Sequence, residues 1–154
     1  MQRSLYLSER LYRKMIAHCL EEKPLEACGL LLGAADRAEK GYAVDNELRS
    51  PVLYRVDQAQ MLTVLSEAEQ AKRNLVAIYH SHVKTAPVPS ETDIKIAYWP
   101  EAFYLIVSLA LREPQVRAYR IVDGQVTEHP LVVLPEPGGE WCDLRRVARS
   151  DQEA

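Results

Sequence analysis

Two histidines one residue apart, His80-Ser81-His82, are followed by Ser90 and then by Asp93. In an extended strand, residues i and i+2 project to the same face, so both imidazoles would leave a sheet side by side. Pro87 and Pro89 preclude regular structure in the stretch between the histidines and Ser90. Ser90 and Asp93 stand one turn apart at a helix start, and the proline-containing loop can return them to the strand's end. Two imidazoles and one carboxylate make a three-ligand set suited to a catalytic zinc, with a fourth position for water. Such a water needs a base, and Glu26 is the candidate. It is an acid at the edge of the apolar run Ala27 to Gly33, where a carboxylate is out of place unless it lines a cleft. Blander readings stand beside these. Ser90-Glu-Thr-Asp93 is also a capping box, His80 and His82 could be surface strand residues, and the ligand set also suits iron in a facial triad. The absence of a cosubstrate signature, together with Glu26, favours zinc. His18 and His129 are isolated and read as structural.

The elements that must position these residues follow from periodicity. Leu11, Met15, Ile16, Cys19 and Leu20 share one face of a helix predicted over residues 8–22, capped by Ser8 and ended before Pro24. Residues 26–33 form a short apolar run closed by Gly33, read as a buried strand. A polar turn over 34–40 leads to an exposed strand at 41–45. Met61, Leu62, Leu65, Ala68 and Ala71 place a second helix within 57–74. Residues 75–79 form a β-branched strand running straight into His80. A short helix opens at Ser90, and three strands follow at 103–109, 116–122 and 126–133, the last two joined by the hairpin signal Asp123-Gly124. Residues 135–139 read as a Pro/Gly linker, and 141–154 as a charged tail, either a short docked helix or frayed. The pattern implies a mixed sheet with helices packed on it, in a domain of residues 1–134.

Composition excludes several function classes. The 154 residues suit one domain, with 47% hydrophobic and 27% charged residues. A net charge of −3 draws the chain neither to nucleic acid nor to an anionic membrane. No apolar stretch approaches the length of a spanning helix, and MQRSLYLSER contains no secretory core. Cys19, Cys28 and Cys142 are an odd set at unrelated spacings, so reduced thiols in a cytoplasmic protein are expected.

Glu26-Ala-Cys-Gly-Leu-Leu-Leu-Gly33, His80-Ser81-His82, Ser90 and Asp93 together resemble the JAMM motif of the MPN+ metalloproteases, and the likeness runs from the first helix to about Val133. The resemblance implies an α/β fold in three layers, a curved mixed sheet flanked by helices, as in cytidine deaminases. It implies zinc held by His80, His82 and Asp93, Glu26 as general base, and Ser90 as hydrogen-bond donor to the oxyanion. It further implies hydrolysis of peptide or isopeptide bonds at the Gly-Gly tail of a ubiquitin-like or sulfur-carrier protein. Small amide or amino-acid conjugates, and a non-catalytic scaffold that binds a partner, are the rival readings. Many relatives carry proline where this chain has Val83. Eukaryotic members carry insertions, one with a second structural zinc, and this chain has no Cys/His cluster to match it. The compact prokaryotic members are the nearest likeness. A homodimer formed through Trp141 and the tail is also open.

Overall fold

In the computed structural model, residues 3–146 are described. The chain runs β1 (Leu5–Ser8), α1 (Glu9–Glu22), β2 (Cys28–Ala34), β3 (Arg37–Val44), α2 (Gln58–Ala71), β4 (Asn74–His82), α3 (Glu91–Lys95), β5 (Phe103–Ser108), β6 (Gln115–Val122), β7 (Gln125–His129), β8 (Leu131–Leu134) and β9 (Glu140–Asp143). The strands form one mixed sheet in the order β7-β6-β5-β4-β2-β3-β1-β8, with β9 alongside β3. Among the described residues no helix is long and apolar enough to cross a membrane.

Strand alternation creates the three layers. Leu31, Ala77, Tyr79 and Leu105 face one way and pack with Leu11, Met15 and Cys19 of α1. Leu30, Leu32, Ile78 and Tyr104 face the other way and pack with Val64 and Ala68 of α2. Both faces of the central strands are therefore buried, which is why β2, β4 and β5 read as nearly continuous apolar runs. The expected fold class holds. β4 and β5 are parallel, so the chain between them must cross over rather than turn back. That crossover carries α3, and with it Asp93, to the carboxyl end of β4.

Several local expectations change. Leu5–Ser8 is a strand that periodicity did not reveal; it is too short to show a period. The segment expected as a polar turn is mostly strand, with the turn confined to Ala35 and Asp36. Residues 41–45 are buried instead of exposed. Tyr42 and Val44 lie in the α2-side cluster, and Trp141 covers Gly41 so closely that a Cβ there would lie 2.5 Å from the indole. The buried face of α2 is Gln60, Val64 and Ala68, whereas Leu62 is 69% exposed. The cause is Gln60, whose amide accepts from the Asp45 N–H and donates to the Asp45 carboxylate and the Leu144 carbonyl. Three polar bonds turn the helix by about one residue. Pro130 splits the last expected strand into β7 and β8.

Residues 140–143 are a strand, neither helical nor frayed, and 147–154 lie outside the described residues. β1 reaches β3 only at Arg37, which leaves Lys40 to Ala43 open on that edge. β9 pairs with those four residues in parallel and satisfies their backbone groups.

Candidate metal centre

Three side chains converge at the carboxyl end of β4. His80 Nε2 and His82 Nε2 lie 3.2 and 3.0 Å from the same Asp93 oxygen, Oδ2, and 3.1 Å from each other. All three residues are buried. His80 and His82 stand on the sheet face of Ile78, the α2 side, as alternation requires. Asp93 reaches them from the first turn of α3. Its Oδ2 also accepts from the Ser90 N–H at 2.9 Å, while Ser90 Oγ accepts from the Asp93 N–H at 3.0 Å. The capping box and the candidate ligand set are thus one structure, and the two readings of Ser90 to Asp93 do not compete. Because the cap uses Ser90 Oγ as an acceptor, its O–H proton is left to donate. His82 Nδ1 lies 2.8 Å from the Ala86 carbonyl. The Nδ1–H donates there, which assigns the tautomer that turns the Nε2 lone pair inward.

Glu26 comes to this face through sheet register. Cys28 pairs with His80, and the pairing continues past the end of β2, where the Ser81 N–H donates to the Ala27 carbonyl at 3.0 Å. One step further, Glu26 stands opposite His82, on the face of both imidazoles. It is only 4% exposed, and its Oε1 is buried without a hydrogen-bond partner. Burial pushes its carboxyl up to about 8, with His82 opposing the rise and Asp93 adding to it. Burial would likewise push Asp93 up, but the hydrogen bonds from His80 and His82 outweigh it and hold the carboxyl well below the usual range. His80 is lowered by burial; for His82 the Asp93 carboxylate and the Ala86 carbonyl overcome burial and raise it.

The donor set fits a divalent ion. In tetrahedral zinc sites with bonds of about 2.0–2.1 Å, neighbouring ligand atoms are about 3.3 Å apart. The separations of 3.0–3.2 Å here are close to that, and the buried Glu26 carboxyl, with Oε1 unpartnered, interacts electrostatically with His82 and Asp93. Two neighbours escaped the sequence reading. The Tyr54 ring stacks on His80 with centroids 4.1 Å apart, and Asn46 Nδ2 donates to the Glu26 carbonyl at 3.0 Å. Both lie in an aperiodic loop where spacing carries no signal. Tyr54 also lines a pocket of about 440 Å³ with Leu53, Val56, Met61, Thr92 and Trp99. His18 and His129 are apart from this centre: His18 Nδ1 meets the Tyr79 hydroxyl and His129 Nδ1 meets the Arg3 carbonyl.

The family described as prokaryotic homologs of the JAB domain matches residues 8–122. The chain belongs to that family. Its match covers both helix layers and every residue of the candidate centre. The CysO-cysteine peptidase of Mycobacterium tuberculosis is 42% identical over 137 residues, 86% of this chain and 92% of the relative. The probable TtuB-protein conjugate cleaving protease of Thermus thermophilus is 35% identical over 131 residues, 84% of this chain and 83% of the relative. Among solved structures, protein DSY2949 of Desulfitobacterium hafniense superposes with a TM-score of 0.79 at 30% identity, covering 86% of this chain and 94% of that one. The JAB relationship confirms the resemblance first suggested by Glu26, the two histidines, Ser90 and Asp93.

Proposed function

We propose that this JAB-family chain is a zinc-dependent peptidase that cleaves the amide or isopeptide bond following the Gly-Gly tail of a ubiquitin-like or sulfur-carrier protein, acting in the cytoplasm. The observation that carries the reading is the meeting of His80 Nε2 and His82 Nε2 on one Asp93 oxygen, faced by a buried carboxyl at Glu26 with an unpartnered oxygen. The names of the relatives, a CysO-cysteine peptidase and a protease of protein conjugates, support the substrate class.

His80, His82 and Asp93 would hold the ion. When bound, zinc supplies Lewis acidity and brings the pKa of a water ligand down to about 7. Glu26 takes the proton of the attacking water and returns it to the departing amine. Burial raises the Glu26 carboxyl, and a dication held beside it would draw it back toward the ionised form that accepts a proton. Ser90 offers its O–H to the developing oxyanion; one such donor is worth about 10²–10³ in rate. The pocket beside Tyr54 offers apolar walls to the chain leading into the scissile bond.

The test is mass spectrometry of a ubiquitin-like carrier protein extended by one cysteine beyond its Gly-Gly end, incubated with the purified protein. Expected is release of the extension, its loss with 1,10-phenanthroline and its recovery with added zinc. Cleavage indifferent to chelation, or none at all with zinc-loaded protein, would overturn the reading.

A further inference from the structure

The loop between β3 and α2 is organised around one side chain. Asn46 uses its whole hydrogen-bonding capacity: Oδ1 accepts from the Leu48 and Arg55 N–H groups, each at 3.0 Å, and Nδ2 donates to the Leu53 carbonyl at 2.9 Å and the Glu26 carbonyl at 3.0 Å. Two donors and two acceptors are all that an amide possesses. Around it the loop closes with a bridge between Asn46 and Val56 and with the Glu47 N–H donating to the Arg55 carbonyl at 2.8 Å. The same loop grips Glu26 from its other side, since the Glu26 N–H donates to the Ser50 carbonyl at 2.9 Å. Between Leu53 and Arg55, both fixed by the Asn46 amide, sits Tyr54, whose ring lies on His80.

We propose that Asn46 is a positioning residue: its amide holds the main chain of Glu26 and, through the loop, the Tyr54 ring that sets the plane of His80. One side chain thereby couples the base to a metal-binding imidazole without touching substrate. The inference rests on the functional reading of Glu26 and His80 given above. The sequence alone hides it, because Asn46 and Glu26 are twenty positions apart.

Asn46→Asp keeps the Oδ1 acceptor and replaces both donors with an acceptor facing two carbonyls, whereas Asn46→Ala removes the hub. Both are compared with wild type on the Gly-Gly-cysteine carrier protein and by amide hydrogen exchange. Misplacement of a catalytic group by about 1 Å can cost about 10²-fold. Each variant is therefore expected to lose at least about tenfold in kcat. Combined with Glu26→Gln at saturating zinc, each should lower the residual rate by less than it lowers the wild-type rate, because the hold on the base no longer counts and only the hold on Tyr54 and His80 is left to lose. Exchange at the Glu26 amide should quicken in both variants and at the Arg55 amide in Asn46→Ala, which alone loses the Oδ1 acceptor, and zinc affinity, read by competition with a chromogenic chelator, should fall. The proposal is overturned if kcat stays within twofold of wild type, or if the loss multiplies undiminished onto Glu26→Gln. Should wild type itself show no chelator-sensitive hydrolysis, the functional reading fails separately. Asn46 is then judged by exchange and zinc affinity, and wild-type values for both overturn it.

Discussion

Two carboxyls brought to the same imidazoles from distant parts of the chain are driven in opposite directions. Asp93 gives its oxygen to both rings and to a helix cap, whereas Glu26 is buried with one oxygen unmet. In the proposed mechanism the first stays charged and holds a cation, and the second exchanges a proton. Glu26→Gln should therefore retain zinc, measured by elemental analysis, and lose about 10²–10⁴-fold in kcat. Asp93→Asn should instead weaken zinc at least tenfold in competition titrations, since the remaining amide is a poor ligand and no longer charged. The convergence of His80, His82, Ser90 and Asp93 was legible in their types and spacing. Tyr54 and Asn46 were not, because each acts through a contact made by an irregular loop, and no period marks such a residue.

At the scale of the element, two side chains on the α1 face of the sheet tie helix to strand. Tyr79 crosses Gly29, where a Cβ would lie 2.1 Å from the phenol ring. Gly29→Ala must displace that ring, and a cost of about 1–3 kcal/mol is expected in urea titration. The Tyr79 hydroxyl meets His18 Nδ1 at 2.6 Å, and burial, reinforced by Arg145, lowers the His18 pKa from 6.5 to about 3. The unfolded chain takes up that proton first. Stability from His18 is thus complete above about pH 6.5 and is lost as the pH falls toward 3, by about 5 kcal/mol in all. Unfolding measured at stepped pH should show this acid limb, and His18→Gln should flatten it. Helices α1 and α2 were legible in their apolar spacing, as was β4 in its β-branched run. The rotation of α2 was not, because Gln60 enters the interior for the sake of hydrogen bonds, and apolar periodicity is blind to that. The burial of β3 was equally hidden, since its cover arrives from a strand a hundred residues away.

At the scale of the molecule, the last described segment locks first and second helix layers together. Arg145, 6% exposed, pairs with Glu21 and Glu22 of α1 and with Asp143, while Arg146 pairs with Asp57 at the start of α2. Removing the buried cation would leave carboxylates crowded together, so Arg145→Ala should cost about 3 kcal/mol in thermal or denaturant unfolding. A linker-and-tail reading of 135–154 could not foresee this, because charge content suggests solvent until the partners are known. Trp141, half-buried, packs over the chain's own Gly41 in the same closing segment.

The oxygen that closes the first turn of α3 is the one the imidazoles share. Occupancy of the centre and order in that short helix are therefore two ends of a single thermodynamic cycle: whatever ion tightens the one must quieten the other. Slowed deuterium uptake at Ile94 and Ile96, whose N–H groups bond to the Ser90 and Thr92 carbonyls, would make a spectroscopically silent metal visible from the polypeptide itself.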